Sequence, residues 1–176
     1  GGVTPSLGMF ELARESVSIP IVVMGRPREG RADPDESDFK ASLRDVRRFV
    51  ELGADEVICG VLSRGGTIDV DRNRALVAAA DGRPVAFHRV FDQSPDLCSA
   101  LEEIIGLGFC RVLTSGGAQN VDLGFEQIKL LVTWAGDRCT ILPGGGVRPH
   151  NARRLVAEAG CRSLHFSFRK PSGYAG

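Results

Sequence analysis

The chain has no net charge to offer a partner: 22 lysines and arginines stand against 22 aspartates and glutamates in 176 residues. That balance removes any long-range pull toward nucleic acid or an anionic membrane surface. No apolar run is long enough to cross a bilayer, and the first residues carry no signal-peptide pattern. The five cysteines, Cys59, Cys98, Cys110, Cys139 and Cys161, are odd in number, scattered and without a CxxC pair. They read as reduced thiols of a cytoplasmic protein, not as a disulfide framework. Also missing are a Met-rich segment, a linker, a low-complexity stretch and a GxGxxG loop behind the first strand. One uninterrupted domain over residues 1–176 is expected, with an ordinary soluble composition of 43% apolar and 25% charged residues.

What is present is an alternation. Short β-rich runs at 20–24, 56–62, 84–88, 110–114, 139–142 and 163–168 are separated by longer segments at helical spacing. The runs show little polar alternation, as expected for parallel strands covered on both faces. Phe39, Leu43, Val46 and Val50 share one helix face, as do Leu97, Leu101, Ile104 and Ile105. Leu123, Ile128, Leu131 and Val132 form a looser stripe, and Ser94-Pro95 reads as an N-cap followed by Pro at N1. Gly53, Gly108 and Gly160 each close a helix before the next strand. Repeated βα units fit a doubly wound sheet or a TIM barrel. Polar residues gather at the carboxyl end of nearly every strand, which favours the barrel, with about six of its eight βα units in this chain.

The chemistry-bearing residues follow the strand ends. Arg26-Pro27-Arg28 presents two guanidiniums suited to carboxylate or phosphate, or else two solvated surface charges. In Phe87-His88-Arg89-Val90-Phe91-Asp92, His88 reads as a general base or a metal ligand, with Asp92 as its orienting carboxylate. Strand alternation implies that His88 and Arg89 do not both face the barrel axis. Thr114, Ser115 and Gly116 offer hydroxyls and backbone N–H groups for an anion, although a plain turn uses the same residues. Gly144, Gly145 and Gly146 let the backbone approach a ligand closely, and Asn151 either caps the next helix or reaches toward that ligand. His165 and Ser167 share a face of the last run, and Arg169 follows them. The anion-binding set is therefore Arg26, Arg28, Ser115, Gly144, Gly145, Gly146 and Ser167, with His88 and Asp92 as catalytic candidates. Cys59 lies mid-strand as a small buried hydrophobe or a metal ligand, and the other cysteines read as structural.

Six ordered runs, GGVTPSLG at 1–8, RPR at 26–28, FHRVFD at 87–92, RVLTSGG at 111–117, PGGGV at 143–147 and LHFS at 164–167, resemble the CutC copper-homeostasis family. The resemblance implies a single-domain cytosolic TIM barrel associated with copper tolerance and Cu(I) binding. It further implies that two βα units precede residue 1 and that a C-terminal segment follows. Exposed sheet edges and self-association into a homo-oligomer are then expected. Copper, if bound, would fall to His88, His165 and Cys59. Glu29-Gly30-Arg31-Ala32 stands where the family tends to carry Gly-Gly-Asp-Phe, and Phe166 where relatives often carry Cys or a small residue. The competing reading is a TIM-barrel enzyme acting on a small phosphorylated or carboxylated metabolite. The expected partner is a small molecule or a metal, with neither nucleic acid nor membrane.

Overall fold

Five β-rich runs become strands in the computed structural model, which describes residues 2–167. They are β1 (Val22–Met24), β2 (Glu56–Cys59), β3 (Val85–Phe87), β4 (Arg111–Thr114) and β5 (Thr140–Pro143). All pair in parallel, each with the next in sequence, in the order β1-β2-β3-β4-β5. A doubly wound sheet reverses its order at a switch point, whereas a strictly sequential parallel order is an arc of a TIM barrel. The sixth run does not become a strand among the described residues. His165 N donates to Pro143 O at 2.9 Å, but no ladder extends from that bond. Phe168 and Arg169 lie outside the described residues.

The helices are α1 (Leu7–Ser16), α2 (Glu36–Glu51), α3 (Val70–Ala79), α4 (Leu97–Gly106), α5 (Phe125–Ala135) and α6 (Pro149–Ala157). In α2 the Asp35 carboxylate accepts from Asp38 N, and Glu36 and Asp38 complement the positive end of the helix dipole. Its buried face carries Phe39, Val46 and Phe49. The cap of α4 is Asp96, not Ser94: its carboxylate accepts from both Cys98 N and Ser99 N. A carboxylate reaching two orphan N–H groups outcompetes a hydroxyl two residues upstream. Leu123, expected on the α5 stripe, precedes the helix and is 70% exposed.

In-register pairing sorts the strand residues onto two faces. Val57, Val85, Phe87, Val112 and Ile141 face the helices and pack with Val46, Leu76, Leu101, Ile104, Ile128 and Leu131 in a core that is almost fully buried. Met24, Glu56, Ile58, Ala86, Arg111, Leu113 and Leu142 face the concave side, where they line a cleft of about 1090 Å³. At the sheet edge β1 leaves Val22 exposed toward the cleft, and Ile19 and the α1 residues Leu7, Met9 and Leu12 are exposed as well. No helix among the described residues is long and apolar enough to cross a membrane.

Candidate functional site

The mouth of the cleft is built where β3 stops. After Phe87 the chain turns into a 3₁₀ helix over Arg89–Gln93, capped by His88. His88 N donates to Cys59 O at 3.1 Å, and its Nδ1 accepts from Val90 N at 3.3 Å. Because the strand has ended, alternation no longer governs direction: His88 and Arg89 both border the cleft, contrary to the sequence expectation. Burial pushes the His88 pKa down to about 4, and the Arg26 guanidinium adds to the shift.

Asp92 does not orient His88. Its carboxylate accepts from Arg89 Nε at 2.9 Å, from Ser115 N at 3.0 and 3.1 Å and from Gly117 N at 3.0 Å. The hydroxyls of Thr114 and Ser115 complete the set. The 3₁₀ turn carries Asp92 toward the β4 loop and away from His88, so its role is to hold that loop and Arg89. Arg89 Nη2 donates to Ser115 Oγ, while Nη1 hydrogen-bonds to none of the described residues and passes over Gly145. A Cβ at Gly145, where φ is +99°, would lie 2.6 Å from that Nη1. The glycine at 145 therefore makes room for the arginine.

The other anion-site candidates divide. Arg26 borders the cleft, as do Gly145, Gly146 and the exposed Ser167. Arg28 does not: it leaves the mouth and pairs with Asp38 at 2.8 Å, with 73% of its side chain exposed. Ser115 is fully buried, and its hydroxyl is engaged with Asp92, Arg89 and Ala118 O. Gly144 N donates to Thr114 O at 2.8 Å, which takes one N–H out of the glycine cradle. Asn151 caps α6 by accepting from Arg148 N, and its amide donates to Asp122 and Gly146 O, so it serves the loop and not a ligand. His165 stands exposed at the rim, its pKa lowered by the desolvation of its packed flank and by Arg89.

Sequence reasoning missed three cleft residues. Arg148 borders the mouth just before Pro149, and a Pro that opens a helix is the signal that the preceding residue sits at a strand-end loop. Glu56 and Arg111 face each other at 3.3 Å on the floor, near the amino ends of β2 and β4. Their signal was a charged residue opening an otherwise apolar strand. Asp92 pairs with Arg89 and Glu56 with Arg111, and Arg26 and Arg148 add two further guanidiniums to the lining of the cleft.

Among the described residues no three His, Cys, Asp or Glu side chains converge as a metal site. Cys59 lies on the helix-facing side of β2, fully buried, and burial pushes its thiol up to about 12. The sheet thus separates it from His165, and His88, Cys59 and His165 are not brought together. Cys110 and Cys139 precede β4 and β5, at the opposite end of the sheet from the mouth.

A sequence profile described as the CutC family matches residues 1–170. The chain belongs to the CutC family. A CutC family protein of Xanthomonas campestris is 43% identical over 171 residues, covering 97% of this chain and 71% of the relative. One from Treponema denticola is 39% identical over 170 residues, covering 97% and 69%. The mouse protein named copper homeostasis protein cutC homolog is 38% identical, covering 96% and 62%. The crystal structure of the CutC protein from Streptococcus agalactiae superposes with a TM-score of 0.90 at 32% identity, covering 94% of this chain and 82% of that one. An aldolase, QR15, superposes at 0.68 with 18% identity over 88% of this chain and 71% of its own, a likeness of fold alone. The CutC motifs at 87–92, 111–117 and 143–147 are the segments that supply Arg89, Asp92 and Gly145 to the mouth.

Proposed function

We propose that the cleft binds a small phosphorylated or carboxylated molecule at the carboxyl ends of the strands, as a metabolite-handling TIM barrel would. The observation that carries this reading is Arg89. Asp92 and Ser115 hold two of its nitrogens in place, while Nη1 is left open over a glycine whose missing side chain clears the approach. Such a fixed guanidinium loses little entropy on meeting an anion, and Arg26 and Arg148 add positive charge at the same mouth. The test is thermal stabilisation of the protein by inorganic phosphate, sulfate and small carboxylates at millimolar concentration. A rising Tm with phosphate and with carboxylates, at constant ionic strength, is the expected result; no shift with any of them contradicts the proposal.

The second reading is copper homeostasis, favoured by the name of the mouse relative and by family membership. Cu(I) prefers thiolate, thioether and imidazole donors. The described residues fit it poorly: Cys59 is turned to the helix side with a raised pKa, and the Nδ1 lone pair of His88 is engaged by Val90. Stoichiometric Cu(I) uptake that is lost in a His88→Ala, His165→Ala double variant would restore this reading. We further propose a reducing, cytoplasmic location, supported by five unpaired cysteines. Homo-oligomerisation through the β1 side is supported by the exposed Leu7, Met9, Leu12, Ile19 and Val22. Sedimentation as a monomer at micromolar concentration would overturn that part.

A further inference from the structure

The histidine at the mouth is constrained in a way that anion binding does not require. Val90 N is a backbone amide and can only donate, so the ring nitrogen it meets, His88 Nδ1, must offer a lone pair. In a neutral imidazole the other nitrogen then carries the proton. Two features disfavour the imidazolium: the ring is buried, with the residue only 6% exposed, and Arg26 is close enough to repel a second positive charge. His88 Nε2 hydrogen-bonds to none of the described residues, and the residue borders both the main cleft and the smaller hollow under Arg26–Arg28. Its backbone is tied as firmly: His88 N donates to Cys59 O, and Phe91 N donates to His88 O.

We infer that His88 is a fixed Nε2–H donor aimed at a ligand oxygen, and that the ligand carries a carbonyl group beside its anionic head. This rests on the reading of the mouth as an anion site for the anionic head alone; the donor form of His88 stands on its own hydrogen bond. A neutral imidazole whose second nitrogen is held by a helix-terminal amide is suited to polarising a carbonyl without transferring its proton in the ground state. It is unsuited to the general-base role, because its one lone pair is already engaged. Asp92 is drawn to Arg89 and the β4 loop and forms no pair with the ring. The division of labour is that Arg89 Nη1 meets the charge and His88 Nε2–H meets the carbonyl oxygen.

Two measurements on the intact chain test it. Long-range ¹⁵N–¹H spectra of the ligand-free protein at neutral pH should show His88 as the Nε2–H tautomer alone, with Nδ1 unprotonated. An Nδ1–H tautomer or an imidazolium overturns the assignment. Titration with dihydroxyacetone phosphate should then shift His88 Nε2, and titration with inorganic phosphate should leave it in place. His88→Leu should weaken dihydroxyacetone phosphate about tenfold, the worth of one hydrogen bond in a desolvated site, while phosphate affinity stays unchanged. His88→Gln, which keeps a donor near the Nε2 position, should recover most of that loss. Equal weakening of both probes in His88→Leu, or no recovery in a folded His88→Gln, overturns the carbonyl role. If neither probe binds at millimolar concentration, the anion reading falls and the carbonyl role with it, while the spectrum alone decides the tautomer.

Discussion

The two ends of the concave face hold one buried carboxylate each, and the two are treated in opposite ways. At the mouth, Asp92 accepts from Arg89, two hydroxyls and two backbone N–H groups. On the floor, Glu56 meets Arg111 at 3.3 Å, while Glu56 Oε1 and Arg111 Nε are buried with no hydrogen-bond partner among the described residues. Desolvation accordingly raises the Glu56 pKa, and Arg111 offsets only part of the rise. The contrast separates a carboxylate that organises a site from one that merely tolerates burial. A pair left half-satisfied contributes little to stability, whereas a saturated network fixes the geometry of every group in it.

The largest effect is expected at Asp92. Asp92→Asn places an NH₂ among donors and strands the Arg89 guanidinium, which should cost about 3 kcal/mol in urea denaturation and abolish phosphate binding. A loss below about 1 kcal/mol would show that the network is decorative. Gly145→Ala comes next. The added methyl would meet Arg89 Nη1 and impose a positive φ on a residue with a Cβ. Stability should fall by about 1–2 kcal/mol and phosphate affinity about tenfold, with the displaced arginine as the cause. Fold and binding are therefore expected to suffer together at this position.

At the floor the sign reverses. Because the folded-state pKa of Glu56 lies above its unfolded value, the native state binds the proton more tightly. Its contribution therefore falls as pH rises from the ordinary carboxylate range through the raised value. Glu56→Gln removes that dependence and should be within about 1 kcal/mol of wild type at neutral pH, with a flatter stability profile between acid and neutral. A steep loss of stability in Glu56→Gln would make the floor pair as structural as the mouth network. The smallest effect belongs to Arg28, which stands outside both regions on an exposed pair with Asp38. Arg28→Ala should change stability by less than about 0.5 kcal/mol and leave phosphate affinity alone.

Much of the scaffold was legible because it rests on local rules. The parallel strands and the α2 and α4 faces follow from apolar spacing, and Gly53, Gly108 and Gly160 do take positive φ after their helices. The sixth run, 163–168, makes one backbone bond to β5 and no ladder among the described residues, and propensity cannot count hydrogen bonds. Helices α1 and α3 were not anticipated, since α1 leaves Leu7, Met9 and Leu12 exposed and shows no clean buried face. In the site, Arg26, Gly145 and Gly146 were placed at the mouth from strand-end position alone. The partner of Asp92 could not be read, because it depends on where a five-residue 3₁₀ turn sends the side chain. Arg28 was misplaced for a related reason. Pro27 stiffens the turn but does not choose between a ligand and Asp38, a helix residue ten positions on.

In the proposed site Arg89 is the group that meets the anion. Calorimetric titration of inorganic phosphate into wild type, Arg89→Lys and Arg28→Ala tests this most directly. Lysine at 89 keeps the charge beside Asp92 but has no third nitrogen to extend over Gly145. Binding should weaken about tenfold in Arg89→Lys, the worth of one charge-assisted hydrogen bond, and stay at the wild-type value in Arg28→Ala. Phosphate affinity that is unchanged in Arg89→Lys, or reduced equally in both variants, would contradict it.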